Sequence, residues 1–389
     1  MDEGNWARLP VGIDAPQWLT RNTTRTVLVA VHTLVAGQRL LDIVGLVESD
    51  PRIQVVFTAA PEVFDAGVPR FLRDIGAATI PWQQATRERF DLALAASCSS
   101  IARLHAPVLV LPHGAGYAKR MPTELGAVYG LDPVELVAQG RVLPASIVLS
   151  HESQRGLLAT QCPAALPVAV VAGDPCYDRL CASLPRRAAY RSALGVEPEQ
   201  ELVVATSTWG PNGLFGRFPE IVAELPQVLG SQRYRCAAVF HPAVLAHGAR
   251  QVRAWLAQAR EAGLLLIDSG DWRAAVIAAD HVIGDYGSVS AYAAAIGRPV
   301  SYVETDVDLA DGSAHGYLRA HAPRWQSDRP TLGAPCAGLA EGVRNLLTSC
   351  PGQSHRRLRE TMYRLLELAE PATAPVAEPV PLPGVVCHG

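Results

Sequence analysis

The sequence predicts an α/β protein built from two doubly wound parallel-sheet domains in tandem. Three observations carry that reading. Short valine- and leucine-rich runs, the composition of strands buried on both faces, recur along the chain. Segments of helical length separate them, and the runs fall into two successive series. A length of 389 residues with 49% hydrophobic and 18% charged content suits two globular domains of ordinary size.

The first series opens with TVLVAV at Thr26–Val31, followed by a helical stretch over Leu34–Val47 and a second strand at Ile53–Thr58. Asp91–Ala95, Val108–Leu111, Ser146–Leu149 and Val168–Val171 continue it. The second series starts at Leu202–Thr206 and runs through Cys236–Phe240, Leu264–Ile267, His281–Ile283 and Val300–Val303, with helical segments such as Ala243–Ala262 and Ser288–Ile296 between. This spacing implies parallel sheets with right-handed crossovers. A polar stretch over Pro185–Gln200 marks the boundary. The expected organisation is therefore an N-terminal domain over 1–190, a C-terminal domain over 191–370, and a proline-rich, disordered tail over 371–389. Ser354–Ala369 reads as an amphipathic helix closing the second domain. Its Arg356, Arg357 and Arg359 read as a solvated basic face, with contact to a membrane surface as the alternative.

Charge and cysteine usage narrow the function classes. A net charge of −3 carries no nucleic-acid footprint, so no nucleic-acid partner is expected. No apolar run reaches the roughly 18–20 residues that span a bilayer. Met1-Asp2-Glu3-Gly4 starts acidic, with no basic region leading into an apolar stretch, so a cytoplasmic location is expected. The eight cysteines lack CxxC spacing, which predicts reduced thiols and no metal site. Lys119 is the only lysine. GxGxxG is absent after Thr26–Val31, and neither GxxxxGK[ST] nor GxSxG occurs, which argues against dinucleotide cofactors, P-loop chemistry and an α/β-hydrolase. No cofactor is expected beyond an activated donor substrate.

Ligands of open α/β sheets bind beyond the carboxyl ends of the strands, so the residues just after each strand matter most. Leu111-Pro112-His113-Gly114-Ala115-Gly116 runs from a strand into a histidine and a glycine pair. His113 is a candidate general base, with an ordinary turn histidine as the alternative. Phe240-His241-Pro242 repeats the arrangement in the second half; His241 either neutralises charge on a leaving phosphate or caps the next helix. Gly284-Asp285-Tyr286-Gly287-Ser288-Val289-Ser290 leads into an alanine-rich helix. Its backbone N–H groups with the Ser288 and Ser290 hydroxyls form a candidate phosphate cradle, against the plainer reading of Ser288 as an N-cap. Gly173-Asp174-Pro175 and Thr206-Ser207-Thr208-Trp209-Gly210 are further loops at strand ends.

Taken in order, these motifs resemble the glycerophosphotransferases that use CDP-glycerol to build teichoic acid polymers. His113, Gly114 and Lys119 match that family's His-Gly pair and nearby lysine; Gly173, Pro175 and Asp178 match a Gly-x-Pro-x-x-Asp stretch. Thr208 and Trp209 match a strand ending in Thr-Trp, His241 and Pro242 a His-Pro pair, and Asp285, Tyr286 and Ser288 an Asp-Tyr-Ser-Ser motif. Gly287 replaces the first serine of that motif, Tyr292 stands where the family carries an aspartate, and Lys119 lies one residue further from the histidine. The resemblance implies a GT-B-like fold, two Rossmann-like doubly wound parallel-sheet domains facing a cleft. It implies that the acceptor side holds His113 as base with Lys119 and Asp178. It also implies that His241, Gly114, Thr208, Trp209, Asp285, Tyr286, Gly287, Ser288 and Ser290 serve a CDP-linked donor.

The activity so implied is transfer of glycerophosphate, or a related polyol phosphate, from a CDP-activated donor to an acceptor hydroxyl in cell-wall polymer synthesis, with peripheral contact at the inner membrane face. Two alternatives stand beside it. One is a nucleotide-sugar glycosyltransferase or UDP-sugar 2-epimerase-like enzyme, which shares the Gly-x-Pro-x-x-Asp segment. The other is a non-catalytic nucleotide-binding homologue, for which the Gly287 and Tyr292 departures speak.

Overall fold

The computed structural model describes residues 6–12, 18, 21–62, 67–121, 126–246, 248–326, 332, 336 and 338–384. The acidic N-terminal tetrapeptide, Cys387 and the last five residues of the tail lie outside them. The chain divides into two compact units. One comprises Met1–Tyr117, Met121–Cys176 and Ser349–Ala377; the other comprises Ala118–Arg120, Tyr177–Thr348 and Glu378–Gly389.

The first unit is built on a six-stranded sheet of β1 (Arg25–Val31), β2 (Ile53–Ala59), β3 (Leu92–Ala95), β4 (Val108–Val110), β7 (Ser146–Leu149) and β8 (Ala169–Val171). The order is β2-β1-β3-β4-β7-β8, every neighbouring pair parallel. A two-residue antiparallel ladder, β5 (Val137–Ala138) with β6 (Arg141–Val142), stands apart. Register is fixed by matching apolar residues, with Val27 opposite both Val55 and Leu92. Alternate side chains of β1 then enter one core, where Val27, Val29 and Val31 are fully buried among Leu92, Leu94 and Leu109. Helix α1 (Leu34–Leu40) follows β1, started by Thr33, whose hydroxyl accepts the Ala36 N–H at 3.1 Å.

The second unit carries five parallel strands: β9 (Glu201–Ser207), β10 (Tyr234–Phe240), β11 (Leu265–Ile267), β12 (His281–Gly284) and β13 (Val300–Tyr302), in the order β11-β10-β9-β12-β13. Relevant helices are α2 (Pro175–Ser183), α3 (Arg187–Ala193), α4 (Leu214–Arg217), α5 (Pro242–Ala246), α6 (Trp272–Ala278) and α7 (Ser288–Ala295). Sequence-adjacent strands spread outward on one side of β9, and the chain then restarts on its other side with β12. The strand order therefore reverses between β9 and β12, a topological switch point whose carboxyl edge is the expected ligand position.

Three features of the organisation differ from the sequence expectation. Ser354–Leu365 belongs to the first unit and not to a 191–370 domain: Leu358, Met362, Tyr363 and Leu366 join the β1–β2 core. Polar contacts fix the return. The Ser349 N–H donates to Ser150 O at 3.1 Å, the Tyr363 hydroxyl to Asp50 at 2.8 Å, and Arg25 to Leu366 O at 2.7 Å. Its arginines are not all solvated, since Arg357 donates to Val171 O and the buried Arg359 binds Glu370 and Thr373 O.

Second, the described part of the proline-rich tail is anchored. Prolines keep a chain extended with its carbonyls outward, and those carbonyls find donors. Arg179 donates to Glu378 O and Tyr190 to Val380 O, while the Val380 N–H reaches the Ser183 hydroxyl at 2.9 Å. Third, Ala118–Arg120 falls in the second unit, because the Ala310 N–H donates to Ala118 O at 2.7 Å and the Arg120 N–H to Asp308 O at 3.0 Å. Among the described residues no helix is long and apolar enough to cross a membrane.

Candidate functional site

In the second unit the sequence-selected loops converge on the switch point. Asp285 follows β12 and Thr208 follows β9, and the Asp285 carboxylate ties them together. Its Oδ2 accepts the Thr208 N–H at 2.9 Å, the Thr208 hydroxyl at 2.8 Å and the Leu214 N–H at 2.8 Å; its Oδ1 accepts the Gly287 N–H at 2.9 Å. Burial raises the carboxyl above its ordinary pKa, and the four donors act against that rise. Asp285 is 1% exposed. The motif's aspartate is thus an internal organiser that fixes the starts of α4 and α7, and not a side chain turned toward solvent.

A second hydroxyl completes this scaffold. The Ser207 hydroxyl donates to Thr208 O at 2.7 Å and accepts the Phe215 N–H at 2.8 Å, pinning α4 to the end of β9. Gly287, the departure from the serine of the resembled family, is required by space. A Cβ there would lie 2.8 Å from Thr208 Cγ2 and 3.1 Å from Asp285 Oδ1. The tight Asp285–Thr208 junction leaves no room for one. Gly287 then acts as the N-cap of α7 with extended backbone and without a side-chain hydrogen bond. The eight-residue helix thus presents its first turn of N–H groups beside Tyr286 and Ser288, both half-buried. Ser290 differs from the sequence expectation. It is fully buried, and its hydroxyl lies 2.2 Å from where a Cβ on Gly284 would sit, so it packs against the sheet and does not join Ser288 in a cradle.

His241 follows β10 and is half-buried. Its N–H donates to Ser207 O at 2.9 Å, continuing the β9–β10 ladder. Its Nδ1 accepts the Ala243 N–H at 3.2 Å, so it caps α5 as the plainer reading held. Capping and function are compatible here. With Nδ1 occupied as acceptor, the proton of the neutral ring sits on Nε2, which makes that nitrogen a donor. Trp209, 42% exposed, follows Thr208 in the same loop cluster. Tyr292 is buried and stacked on Trp272, with ring centroids 5.5 Å apart and planes 29° apart; Arg273 lies 4.6 Å above the Trp272 ring. The tyrosine in place of the family's aspartate is therefore part of an aromatic stack, a partner that sequence reading did not identify.

In the first unit, His113 follows β4 and has a surface open to solvent. Tyr129 meets the ring edge-on at 6.3 Å and 73°. Partial desolvation lowers the imidazole pKa from 6.5; a hydrogen bond to the Ala96 backbone opposes this and the charge of Arg39 adds to it. The neutral form therefore prevails at neutral pH, the state a general base needs. Gly116 has φ +74°, and a Cβ there would meet the Gln154 amide at 2.6 Å, so this turn demands glycine. Gly114, assigned to the donor side by resemblance, lies in this unit and accepts the Gly116 N–H at 2.9 Å.

Lys119 and Asp178 do not join His113 within this unit. Lys119 is exposed on the short ladder opposite Leu309, and Asp178 is buried on α2; both belong to the second unit. Two groups that sequence reading missed support the first-unit loops. Arg39 donates to Pro112 O at 3.0 Å and grips both oxygens of Asp174 at 3.1 and 3.0 Å. His32, directly after β1, is fully buried and shares a 2.7 Å hydrogen bond with Ser99 O across the β1–β3 switch point. The position of His32 after TVLVAV was a legible signal, whereas Arg39 in the last turn of α1 offered none. Among the described residues no cluster of His, Cys, Asp or Glu is placed to hold a metal, and the described cysteines are free thiols.

No protein-family model matches the sequence, and no curated protein matches it by sequence. Solved structures do match in fold. A co-structure of MnaA with UDP from S. aureus superposes with a TM-score of 0.52 at 10% identity, covering 90% of this chain and 99% of that one. A variant of the wall teichoic acid polymerase TagF gives 0.49 at 12% identity over 90% and 85% of the two chains. Anabaena HepE in complex with UDP-glucose gives 0.46 at 12% identity over 88% and 100%. The likeness is one of fold: a mixed α/β chain with two Rossmann-like domains of the GT-B kind.

Proposed function

We propose that this chain is a GT-B transferase that uses a nucleotide-activated donor, and that the donor is a CDP-linked polyol phosphate such as CDP-glycerol. The observation that carries the proposal is the second-unit switch point, where one buried carboxylate orders the loop after β9 and the loop that opens α7, with His241 at the end of the adjoining strand β10. Such an array suits a diphosphate, because helix N-termini and imidazole donors stabilise anionic oxygens. The choice of a CDP-linked polyol rests on the ordered motifs from His113 to Ser288.

The chemistry follows from these roles. An acceptor hydroxyl attacks the phosphorus bearing the polyol, the new O–P bond forms, and the bond to the departing CMP breaks in line. His113, neutral at pH 7, takes the hydroxyl proton. His241 and the first N–H groups of α7 meet the charge that collects on the CMP oxygens. Lys119 and Asp178 remain acceptor-side candidates on the motif match alone. A uridine-linked donor is the second reading, because Tyr292 stands where the resembled family carries an aspartate and so departs from the match to a CDP-linked polyol.

Thermal unfolding against CMP, CDP, CDP-glycerol, UDP and UDP-sugars separates the readings. A ligand at 100 times its dissociation constant adds about 2.7 kcal/mol to the native state, a rise of roughly 5–10 °C for a unit of this size. Stabilisation by cytidine nucleotides with glycerophosphate transfer supports the proposal. Stabilisation by uridine compounds alone moves the chain to the sugar branch, and no response to any nucleotide refutes donor binding.

A further inference from the structure

A buried ion pair needs a reason to exist. Arg39 is 2% exposed and Asp174 is fully buried, and taking both charges out of water costs several kcal/mol per ion before their attraction offsets it. Apolar residues of similar volume would serve packing as well. What they could not do is make three directed hydrogen bonds. The two terminal nitrogens of Arg39 hold the two oxygens of Asp174 in a planar fork, and Nε donates to Pro112 O. Asp42 Oδ2 lies 3.9 Å from Arg39 Nη1.

These contacts join the ends of three strands. Arg39 sits on α1, which follows β1; Pro112 follows β4; and Asp174 follows β8. His113 is the next residue after Pro112, so the carbonyl that Arg39 grips belongs to the peptide bond leading into the imidazole-bearing residue. We propose that Arg39 is a positioning residue for His113: locked on Asp174, it fixes the Pro112–His113 peptide and thereby the placement of the ring. This rests on the reading of His113 as general base. Three groups act on the ring from the surrounding elements: Arg39 from α1, Tyr129 edge-on from its loop, and the Ala96 backbone after β3. Glu62 and Glu135 act on Tyr129 in turn. A lysine at position 39 would keep the charge but could not span Asp174 and Pro112 O together.

The test uses the full chain with Arg39→Lys, Arg39→Gln and the paired Arg39→Gln/Asp174→Asn variant, which removes both charges at once and guards against a folding defect. The His113 imidazole is assigned by its absence in His113→Gln and titrated by NMR. Nucleotide-induced stabilisation serves as the control for the second unit. Loss of the Arg39 charge should raise the His113 pKa, while Arg39→Lys leaves it near wild type. Both single variants should lower kcat at least tenfold with donor KM unchanged. A wild-type titration in Arg39→Gln, or wild-type kcat in Arg39→Lys, overturns the proposal. A shifted titration together with undiminished turnover by His113→Gln overturns the general-base reading instead and leaves the coupling standing.

Discussion

Replacing Asp285 with asparagine asks whether this carboxylate organises the site or binds the ligand. The side chains are isosteric, so the difference lies in the hydrogen bonds. Three donors converge on Oδ2 and one on Oδ1. An asparagine keeps the three by turning its carbonyl oxygen toward them, which forces its NH2 against the Gly287 N–H. One charge-assisted bond is lost, at about 1.5–3 kcal/mol, and the other three weaken toward neutral strength, by very roughly 1 kcal/mol each. Relief of the buried charge returns part of this. The expected net destabilisation is about 2–4 kcal/mol. Urea denaturation with an unchanged m-value measures it, and titration with the stabilising nucleotide at a temperature where the variant is folded measures affinity. The organiser reading expects the stability loss with affinity reduced less than tenfold. A variant as stable as wild type that no longer binds nucleotide would refute it, because the carboxylate would then be acting on the ligand.

Two further outcomes are expected. Met362→Ala removes a fully buried side chain from the first-unit core and should cost about 2–5 kcal/mol, with hydrogen exchange accelerating in β1 and β2. Acceleration confined to β9–β13 would place the helix elsewhere. In the second unit, burial lowers the pKa of both His281 and His315 from 6.5 to about 4. Each stays neutral in the folded state while the unfolded chain takes up a proton below 6.5. Stability is therefore fully present above that pH and is lost as pH falls toward 4, by roughly 3 kcal/mol per histidine. His281→Gln should flatten the slope of stability against pH between 4.5 and 6 by about one proton, read from urea midpoints; an unchanged slope would contradict the buried neutral state.

Local pattern carried the strands and most of the strand-end loops into view. Thr26–Val31, Leu202–Thr206 and His281–Ile283 announce buried parallel strands because a strand covered on both faces needs apolar residues at every position. The residues after such strands, among them His113, Thr208, His241 and Asp285, were legible because strand ends are where polar side chains reach a ligand. Their roles were less so. Asp285 and Ser290 belong to one motif, yet one organises the loops from within and the other packs against Gly284.

The sequence by itself thus determined the α/β class, the two series of strands and the loops in which a site can be built, all of which follow from short-range periodicity and turn chemistry. Tertiary structure alone decided which segments share a core. Ser354–Leu365 is an amphipathic helix in either unit's terms, and only the apolar surface of the first sheet and the Asp50–Tyr363 contact choose its place. Arg39 and Asp174 are 135 positions apart and meet because β1, β4 and β8 end on one edge of one sheet. Gly287 reads as a lost serine until the Thr208 methyl is found 2.8 Å from where the Cβ would sit. Periodicity records which face of an element is apolar; it holds no record of what that face meets, because the partner is set by long-range packing.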